Sequence, residues 1–490
     1  MNILLVSPAT PATFWSFQHV LPFVSRKAAF PPLGLLTIAA MLPRTWDLRL
    51  VDLNVAPLRD KDLAWADYVL LSAMIVHEPS VRQVIARCRA AGRRIIAGGP
   101  LFTTAAERFP EVDHLVLGEA EELMPTLVAD IEAGHVQPRY LAAGRPSLTL
   151  TPIPRWDLIR MRDYVTMSLQ FSRGCPFDCE FCDIVSLFGH RPRLKTIPQM
   201  IAEFDALYAA GWREAVFLVD DNFIGHKGQA KALLRALVQW QRQRRHALPL
   251  LTEASLNLAD DPELMELMVQ AGFAKVFIGV ETPDEKSLAE CAKVQNTRRD
   301  LVAAVRTIQQ AGLEVMGGFI VGFDNDRDGI FARQRRFIQE AGVVTAMVGL
   351  LTALPRTRLF DRLQSEGRLR GVSDGNNLTV DVNYEPRMDR AALLSGYRRL
   401  VRHLYAPRVY YRRALNFLRF YRPRGPRVRV TLSEYGAFLK SLWVLGVRSP
   451  GRRAFWAFML RSLVQYPRAF ATAMNLAITG YHFRRVAADL

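Results

Sequence analysis

The sequence contains no long apolar run, since no stretch of about 18 uninterrupted apolar residues occurs in it. A membrane-spanning helix is therefore not expected. The amino terminus lacks a basic leader, and its short apolar run is interpreted as a buried first strand rather than a signal peptide. These features predict a cytoplasmic protein.

Cysteine is scarce, with five residues in the whole chain. A low and odd count argues against a disulfide framework and suits a reduced compartment. Three of the five, Cys175, Cys179 and Cys182, fall within eight positions. This crowding favours a metal site.

Acidic residues are outnumbered, because 64 Lys and Arg oppose 47 Asp and Glu and leave a net charge of +17. Such a charge can indicate nucleic-acid binding. The sequence has no zinc-finger spacing, no RNA-binding consensus and no basic helix with heptads, however, so a nucleic-acid partner is not expected. Much of the excess is arginine in the last hundred residues.

The length of 490 residues predicts two or three domains. Residues 1–140 alternate short apolar strands with helical intervals, which predicts an α/β domain with a doubly wound, Rossmann-like parallel sheet. The predicted strands are Asn2 to Val6, Leu48 to Asp52, Tyr68 to Ser72, Arg94 to Ala97 and His114 to Leu117.

Ligands of such a sheet bind beyond the carboxyl ends of its strands. The segments at those ends are Ser7 to Thr13, Asp52 to Asn54, Ser72 to His77, Gly98 to Pro100 and Gly118-Glu119. Their small residues allow the backbone to approach a large ligand. The alternative is that the glycines only form tight turns, and the pattern alone leaves both open.

Residues 141–163 are rich in Pro and Arg without clear periodicity and are expected to form a linker. From 164 to 370 a second alternation predicts a partial (β/α)6 TIM-type barrel, and 371–490 is expected to be a mostly helical C-terminal module. The predicted barrel strands lie near 165–172, 214–220, 249–256, 275–281, 314–321 and 345–352. Chemistry in barrels takes place at the carboxyl ends of the strands, and the cysteines directly follow the first.

The three clustered cysteines follow the pattern C-x-x-x-C-x-F-C. Thiolates are soft ligands that suit iron–sulfur clusters, and three of them hold only three of the four irons of a cubane. The alternative is a structural zinc site, which needs a fourth ligand. His190 is the only close candidate for that ligand.

This pattern closely resembles the radical S-adenosylmethionine (SAM) superfamily, whose open iron chelates SAM and whose cluster cleaves it to a 5'-deoxyadenosyl radical. Later strand-end motifs resemble the family in order, among them Val219 to Phe223 and Gly318 to Phe323. The resemblance implies a [4Fe-4S] cluster on the three cysteines. The SAM contacts that it implies are Phe181, Asp220, Asp221, Ser255, Glu281, Gly318 and Ile320.

With a sheet domain in front, the chain resembles the cobalamin-binding radical SAM proteins, in the branch with an extra C-terminal module that contains hopanoid and bacteriochlorophyll methylases. Pro31 to Leu36, Val51 to Asn54 and Leu117 to Glu121 are typical of this branch. The motif Asp-x-His-x-x-Gly is absent, so no histidine of that motif can coordinate cobalt. The cobalamin contacts that the resemblance implies are Asp52, Asn54, Ser72, His77, Gly98, Gly99, Gly118 and Glu119.

The resemblance implies methyl transfer to an unactivated carbon of a small-molecule substrate such as a lipid, a pigment or another secondary metabolite. Two alternatives are a radical SAM cyclase or rearrangement enzyme and, in another class, a non-catalytic cobalamin or iron–sulfur sensor. The family also implies a flavodoxin or ferredoxin as reductant. His77 is expected either to touch the lower face of cobalt or to be a surface histidine.

The C-terminal module mixes arginine with bulky apolar residues, as in Tyr410 to Arg413, Phe417 to Arg424 and Arg452 to Trp456. Helices of this composition either lie on anionic lipid at the inner membrane face or cap the barrel with their arginines in solvent. The two remaining cysteines have separate interpretations. Cys291 is either a substrate-facing thiol or an apolar filler, and Cys88 is assigned to packing.

Overall fold

The computed structural model describes residues 1–426 and 432–490 of the chain. Within these residues two parallel sheets of six strands each follow one another, and helices follow the second sheet. This is the architecture that the sequence predicts, with a Rossmann-like domain, a partial barrel and a helical module.

The first sheet brings its ligand-binding loops together at one edge. Its strands are β1 (Asn2–Ser7), β2 (Asp47–Asp52), β3 (Tyr68–Ser72), β4 (Arg94–Gly98), β5 (His114–Leu117) and β6 (Arg139–Leu141). Their order is β2-β1-β3-β4-β5-β6, with every neighbouring pair parallel. The order reverses beside β1, which is the position at which ligands of such sheets commonly bind.

Helices cover this sheet, as its buried apolar strands require. They are α1 (Leu21–Val24), α2 (Leu33–Met41), α3 (Asp60–Trp65), α4 (Glu78–Ala90), α5 (Pro100–Ala105) and α6 (Met124–Ala133). The sixth strand is not among the predicted ones, because its three residues are too few to show a pattern. The predicted linker, 141–163, starts at the end of β6 and contains three short 3₁₀ turns.

The second sheet forms an open barrel. The strands after the linker are β7 (Met167–Leu169), β8 (Ser172–Arg173), β9 (Arg193–Leu194), β10 (Val216–Leu218), β11 (Leu250–Ala254), β12 (Phe273–Glu281), β13 (Glu314–Val321) and β14 (Ala346–Leu350). Six of them are parallel in the order β14-β13-β12-β11-β10-β7. The antiparallel pair β8 and β9 frames the loop that carries the cysteines.

Helices alternate with the barrel strands and cover their outer side. They are α7 (Ile184–Phe188), α8 (Ile197–Ala209), α9 (Lys227–Arg242), α10 (Pro262–Gln270), α11 (Glu285–Glu290), α12 (Leu301–Ala311), α13 (Ile330–Ala341) and α14 (Arg358–Ser365). Because β7 and β14 are the two edges of the sheet, the barrel stays open between them.

The C-terminal helices pack onto the barrel. They are α15 (Arg390–Tyr405), α16 (Pro407–Phe420), α17 (Leu432–Trp443), α18 (Arg452–Gln465) and α19 (Phe470–Asp489). The hydroxyl of Tyr405 donates to the carbonyl of Ala346 at 2.6 Å and accepts its N–H at 3.1 Å, which ties α15 to β14. Among the described residues, no helix combines the length and apolar character needed to cross a bilayer.

The Tyr410 to Arg413 segment corrects an expectation, because both predicted arrangements place its arginines outside. Arg413 is fully buried. Its guanidinium donates to the carbonyls of Leu404 at 3.0 Å and Val344 at 3.1 Å. The neighbouring Tyr410 and Tyr411 are also buried, so this part of α16 belongs to the core.

Candidate active site

The cysteine loop leaves the barrel at the carboxyl end of β7 and turns sharply at Gly174. That glycine has φ +97°, and a Cβ on it would lie 2.8 Å from the carbonyl oxygen of Gly189. The N–H of Cys175 donates to the same carbonyl at 3.1 Å. A side chain at this turn would therefore displace the first predicted cluster ligand.

Two carboxylates hold the start of this loop. Asp220 accepts the N–H groups of Phe171 and Ser172 at 2.7 and 3.1 Å and the Ser172 hydroxyl at 2.8 Å. Asp221 accepts the N–H of Gly174 at 2.7 Å. Burial raises the pKa of Asp220 to about 7 and that of Asp221 to about 6. Both predicted SAM contacts are thus engaged in positioning the loop.

Side-chain amides approach two of the three sulfur atoms. The Nδ2 group of Asn222 lies 3.9 Å from the Sγ of Cys175, and the Nε2 group of Gln295 lies 3.9 Å from the Sγ of Cys179. The predicted SAM contact Ser255 accepts a hydrogen bond from Asn222 at 3.2 Å. It therefore orients an amide that faces the cluster loop.

The three thiols lie close together, with Cys179 buried and Cys175 and Cys182 half-buried. Burial raises the pKa of Cys175 and Cys179, and the nearby Lys293 ammonium partly opposes the rise. Burial also raises the pKa of Cys182. Among the described residues, no three His, Cys, Asp or Glu side chains are arranged to hold one metal ion, and His190 is exposed. In a cubane each cysteine binds a different iron.

A side chain of α13 fixes the carboxyl ends of β12 and β13. Gln334 is fully buried, and its amide donates to the carbonyls of Glu281 at 2.9 Å and Ile320 at 3.0 Å. Glu281 has φ +65°, an uncommon conformation for a residue with a side chain. Its carboxylate pairs with Lys293. Two predicted SAM contacts are therefore held at the barrel mouth.

A cavity of about 260 Å³, here called the barrel-mouth cavity, lies at the carboxyl ends of β12 to β14. Four of the seven predicted SAM contacts line it, namely Phe181, Glu281, Gly318 and Ile320. The other lining residues are Phe14, Trp15, Phe277, Phe319, Met347, Gly349, Leu350, Leu351, Thr352, Leu354, Gly375, Asn376 and Asn377. The surroundings are mostly aromatic and aliphatic.

The first domain contributes part of this wall. The Trp15 ring stacks on Phe217 with centroids 5.9 Å apart and planes 9° apart, and it lies 5.1 Å from the ring of Phe277. The loop after β1 therefore reaches across the mouth of the barrel. These rings add apolar surface to the wall of the cavity.

A second cavity, of about 420 Å³ and here called the interdomain cavity, lies between the first sheet and the barrel. Five of the eight predicted cobalamin contacts line it, namely Ser72, Gly98, Gly99, Gly118 and Glu119. The barrel side contributes Gln170, Arg173, Leu187, Phe188, Lys195 and Val219. Both domains therefore face one ligand-sized space at the carboxyl edge of the sheet.

The other three predicted cobalamin contacts lie outside the described lining of this cavity. Asp52 accepts the Tyr164 hydroxyl at 3.0 Å and the N–H of Asn54 at 2.9 Å, so it connects the sheet to the barrel. The Nδ1 of His77 accepts the Met74 N–H at 3.2 Å, and its Nε2 lies 3.2 Å from the Thr10 hydroxyl. Burial lowers the pKa of His77 to about 4, so its ring is neutral and both nitrogens are engaged.

An ion-pair network joins the cysteine loop to the first domain. The guanidinium of Arg173 lies 2.7 Å from the carboxylates of both Glu119 and Glu121. Arg193, on β9, lies 2.6 Å from Glu119. Glu119 is thus shared by two arginines of the barrel. The network closes one side of the interdomain cavity.

Sequence reasoning missed several of these residues. They are Trp15, Arg193, Asn222, Lys293, Gln295 and Gln334. Asn222 belongs to a motif that the sequence singles out, but its direction toward sulfur depends on the fold. The others lie in segments with no recognisable pattern, so no sequence signal identifies them.

The two cysteines outside the cluster loop are buried. Cys291 is 1% exposed, lies outside the described lining of both cavities, and its thiol is 3.6 Å from the carbonyl of Leu288. Its own carbonyl accepts the N–H of Glu180 at 2.9 Å, inside the cluster loop. Cys88 lies in the core of the first domain. These contacts favour a packing role for both thiols.

Three family profiles match consecutive parts of the chain. They are the B12 binding domain over residues 21–128, the radical SAM superfamily over 169–333, and a domain of unknown function (DUF4070) over 357–490. The first two matches include the cysteine loop, all of the interdomain lining except Thr151, and the four predicted SAM contacts that line the barrel-mouth cavity.

Known proteins resemble the chain over nearly its whole length. It is 40% identical to an uncharacterized methyltransferase of Synechocystis sp., over 99% of this chain and 91% of the relative. It is 36% identical to the hopanoid C-2 methylase of Rhodopseudomonas palustris, over 95% of this chain and 90% of that enzyme. The fold is similar to that of the cobalamin-dependent SAM radical enzyme OxsB, with a TM-score of 0.63 and 14% identity over 100% of this chain and 80% of OxsB. The chain therefore belongs to the cobalamin-binding radical SAM methylases, and it is an enzyme whose cofactors are a [4Fe-4S] cluster, SAM and cobalamin.

Proposed function

We propose that this enzyme transfers a methyl group to an unactivated carbon of an apolar, multi-ring lipid of the hopanoid class. The observation that carries the proposal is the apolar wall of the barrel-mouth cavity, with Trp15, Phe277 and Met347 next to the predicted SAM contacts. An apolar wall binds a hydrocarbon skeleton through burial rather than through hydrogen bonds. The relative named for methylation of hopanoids supports the same substrate class.

The donor set of the cysteine loop fits an iron–sulfur cluster. Cys175, Cys179 and Cys182 would hold three irons, and the amides of Asn222 and Gln295 would donate to sulfur. Donors of this kind tune the reduction potential of such clusters. With SAM and cobalamin bound, these cofactors supply a 5'-deoxyadenosyl radical and a methyl group.

The part of the barrel-mouth cavity beside the cluster loop is assigned to SAM, and its apolar wall is left for the substrate. We assign Phe181, Glu281, Gly318 and Ile320 to contacts with SAM, since all four line this cavity. The other three predicted SAM contacts would act indirectly. Asp220 and Asp221 would hold the cysteine loop, and Ser255 would orient the Asn222 amide. The chain's own work is to fix the reacting groups and to exclude water.

The interdomain cavity fits cobalamin because it opens between the two domains and because Gly98, Gly99 and Gly118 leave backbone exposed on part of its wall. Ser72, Gly98, Gly99, Gly118 and Glu119 would contact the corrin or its substituents. Asp52, Asn54 and His77 would act indirectly, through the shape of the loops. With both ring nitrogens of His77 engaged inside its own domain, we propose that this histidine does not ligate cobalt.

Methyl transfer is favoured over ring closure or rearrangement because the two most extensive relatives described above are named as methylating enzymes. A non-catalytic sensor has no need for a SAM-side cavity next to the cysteine loop. We further propose that a flavodoxin or ferredoxin supplies electrons and that the enzyme works in the cytoplasm, in peripheral contact with the inner membrane face.

The test is methyl transfer from SAM carrying a deuterated methyl group, with the enzyme reconstituted anaerobically and a pentacyclic hopanoid in detergent. The expected product is the hopanoid with one labelled methyl group, together with 5'-deoxyadenosine. The Cys175→Ala, Cys179→Ala, Cys182→Ala variant is expected to form neither. A product without label would show cyclisation or rearrangement, and no change in any multi-ring lipid would overturn the substrate class.

A further inference from the structure

The exposed apolar side chains of the molecule are concentrated in the C-terminal module. Between 435 and 464, on α17, the π-helical turn Val444–Arg448 and α18, eight large apolar side chains are exposed. This set is here called the C-terminal apolar face, and it consists of Tyr435, Leu439, Trp443, Val447, Trp456, Leu460, Leu463 and Val464. Several recur at intervals of four, so they share one side of each helix.

The opposite side of these helices is already packed. Phe455 and Phe458 are each 1% exposed, and both rings contact Tyr411 of α16. The indole N–H of Trp456 donates to the carbonyl of Gly446 at 2.9 Å, which joins α18 to the π-helical turn. The two helices are therefore firmly placed, and their outward side is apolar where a solvated helix would carry polar residues.

The charges carried by the segment 435–470 have one sign. Residues 435–470 contain no Asp or Glu. The same segment carries six exposed basic residues, Lys440, Arg448, Arg452, Arg453, Arg461 and Arg468. Exposed apolar side chains ringed by cations are typical of surfaces that bind the interface of an anionic bilayer.

We propose that the C-terminal apolar face is a docking surface for a membrane that contains anionic lipids. The apolar side chains would enter the boundary between headgroups and acyl chains, and the cations would contact headgroup phosphates. Charge favours this occupant over a second copy of the chain, because two copies would each bring the six cations of this segment to the contact and the segment contains no acid to pair with them.

The face also borders the segment that closes the active site. An apolar cleft of about 440 Å³ lies between α1 and α17, lined by Pro22, Phe23, Trp443 and their neighbours. Lys440 donates to the carbonyl of Pro22 at 3.1 Å. The same N-terminal segment carries Trp15 to the barrel-mouth cavity. This part of the inference rests on the proposed function, because a lipid substrate must leave the bilayer near the barrel mouth.

Flotation of the full-length holoenzyme with vesicles tests the surface. The vesicles contain phosphatidylcholine alone or phosphatidylcholine and phosphatidylglycerol in equal parts. We expect binding to the anionic vesicles at low salt and release at high salt. The variant Leu439→Glu, Val447→Glu, Leu463→Glu is expected to bind at least about tenfold more weakly. The control Leu141→Glu, Leu150→Glu, Ile153→Glu adds the same charge at exposed apolar positions elsewhere and is expected to bind like the unchanged enzyme.

Three results would overturn the docking surface. They are no flotation with anionic vesicles, equal flotation of both triple variants, and a dimer in sedimentation velocity that only the first variant breaks.

Assays in detergent separate this inference from the proposed function. The first variant is expected to methylate detergent-dispersed hopanoid normally and vesicle-bound hopanoid poorly. If the unchanged enzyme floats but methylates no lipid in either form, the substrate proposal fails and the docking surface stands.

Discussion

The ammonium of Lys293 and the carboxylate of Glu281 form a buried ion pair at the barrel mouth, with Nζ and Oε1 2.7 Å apart. A Cβ on Gly279 would lie 2.3 Å from that carboxylate oxygen and 2.8 Å from the ammonium, so only glycine leaves space for the pair. The pair lies beside the cysteine loop, where the Lys293 charge favours the thiolate form of Cys179. Thiolate is the form that binds iron.

Replacement of Lys293 by methionine is expected to destabilise the fold by about 3 kcal/mol, because Glu281 would remain buried without its cation. The free energy of unfolding, measured by urea titration and circular dichroism, checks the size of the loss. The cluster content after reconstitution is expected to fall as well, since a positive charge next to the thiols is removed.

The double variant Lys293→Met, Glu281→Gln is the matched control for this loss. With neither charge present, most of the lost stability is expected to return. The cluster content should stay low, because the cation is still absent. Equal destabilisation of the single and double variants would contradict a role for the ion pair.

Single replacement of Cys175, Cys179 or Cys182 by alanine is expected to abolish the cluster, because only three thiolates are available to anchor a cubane. Iron and sulfide analysis with optical spectra after anaerobic reconstitution measures the loss. Cys88→Ala and Cys291→Ala remove buried thiols outside the cluster loop and are expected to keep the cluster. A variant of the cluster loop that retains full iron would show that another residue supplies the ligand.

The sequence predicted the parts of the fold that depend on local pattern. Buried parallel strands are short apolar runs between helices, and eleven such segments lie close to observed strands of the two sheets. The strand β6 was missed because its three residues pair with β5 only in the folded sheet. The cysteine loop was recognisable because its ligands are close together in sequence.

Contacts between distant segments were not predictable. Asp220 was predicted to contact SAM. Its carboxylate oxygens instead accept the N–H groups of Phe171 and of Ser172 on β8, and no spacing in the sequence reveals these contacts. Lys293 pairs with Glu281 across 12 positions that include the helix α11, and Trp15 reaches the barrel from another domain. The position of Arg413 was also not predictable from the sequence. Its sequence neighbours suggest a surface helix, but the carbonyl group of Leu404 that accepts its hydrogen bond lies in the core.

Replacement of Arg173 by methionine is expected to loosen the contact between the first domain and the barrel. Among the described residues Arg173 is the only cation paired with Glu121, so Glu121 would lose its partner, whereas Glu119 would keep Arg193. A buried carboxylate without its cation costs about 3 kcal/mol. Limited trypsin digestion is expected to cut the 141–163 segment faster, with the fragments identified by mass spectrometry.

The control for this change is Arg82→Met, which removes an ion pair with Glu78 inside the first domain. It is expected to leave the rate of cleavage in the 141–163 segment unchanged. If Arg173→Met is digested at the same rate as the unchanged protein, the network does not hold the domains together.

The carboxyl group of Glu253 makes stability depend on pH. Burial first, and then the nearby Asp221 and Asp220, raise its pKa to about 8. The folded state therefore favours the protonated form, and its contribution to the free energy of unfolding is lost as the pH rises toward 8. Glu253→Gln removes this titration, so the variant is expected to gain about 3 kcal/mol relative to the unchanged protein between pH 5 and pH 8. Urea titrations of both proteins at the two pH values measure the difference.

The control is Asp261→Asn, which lies on the same side of the barrel. Lys231 lowers the pKa of Asp261 against the effect of burial, so this variant should show no such gain in the free energy of unfolding. A constant difference between Glu253→Gln and the unchanged protein would mean that Glu253 is ionised in the fold.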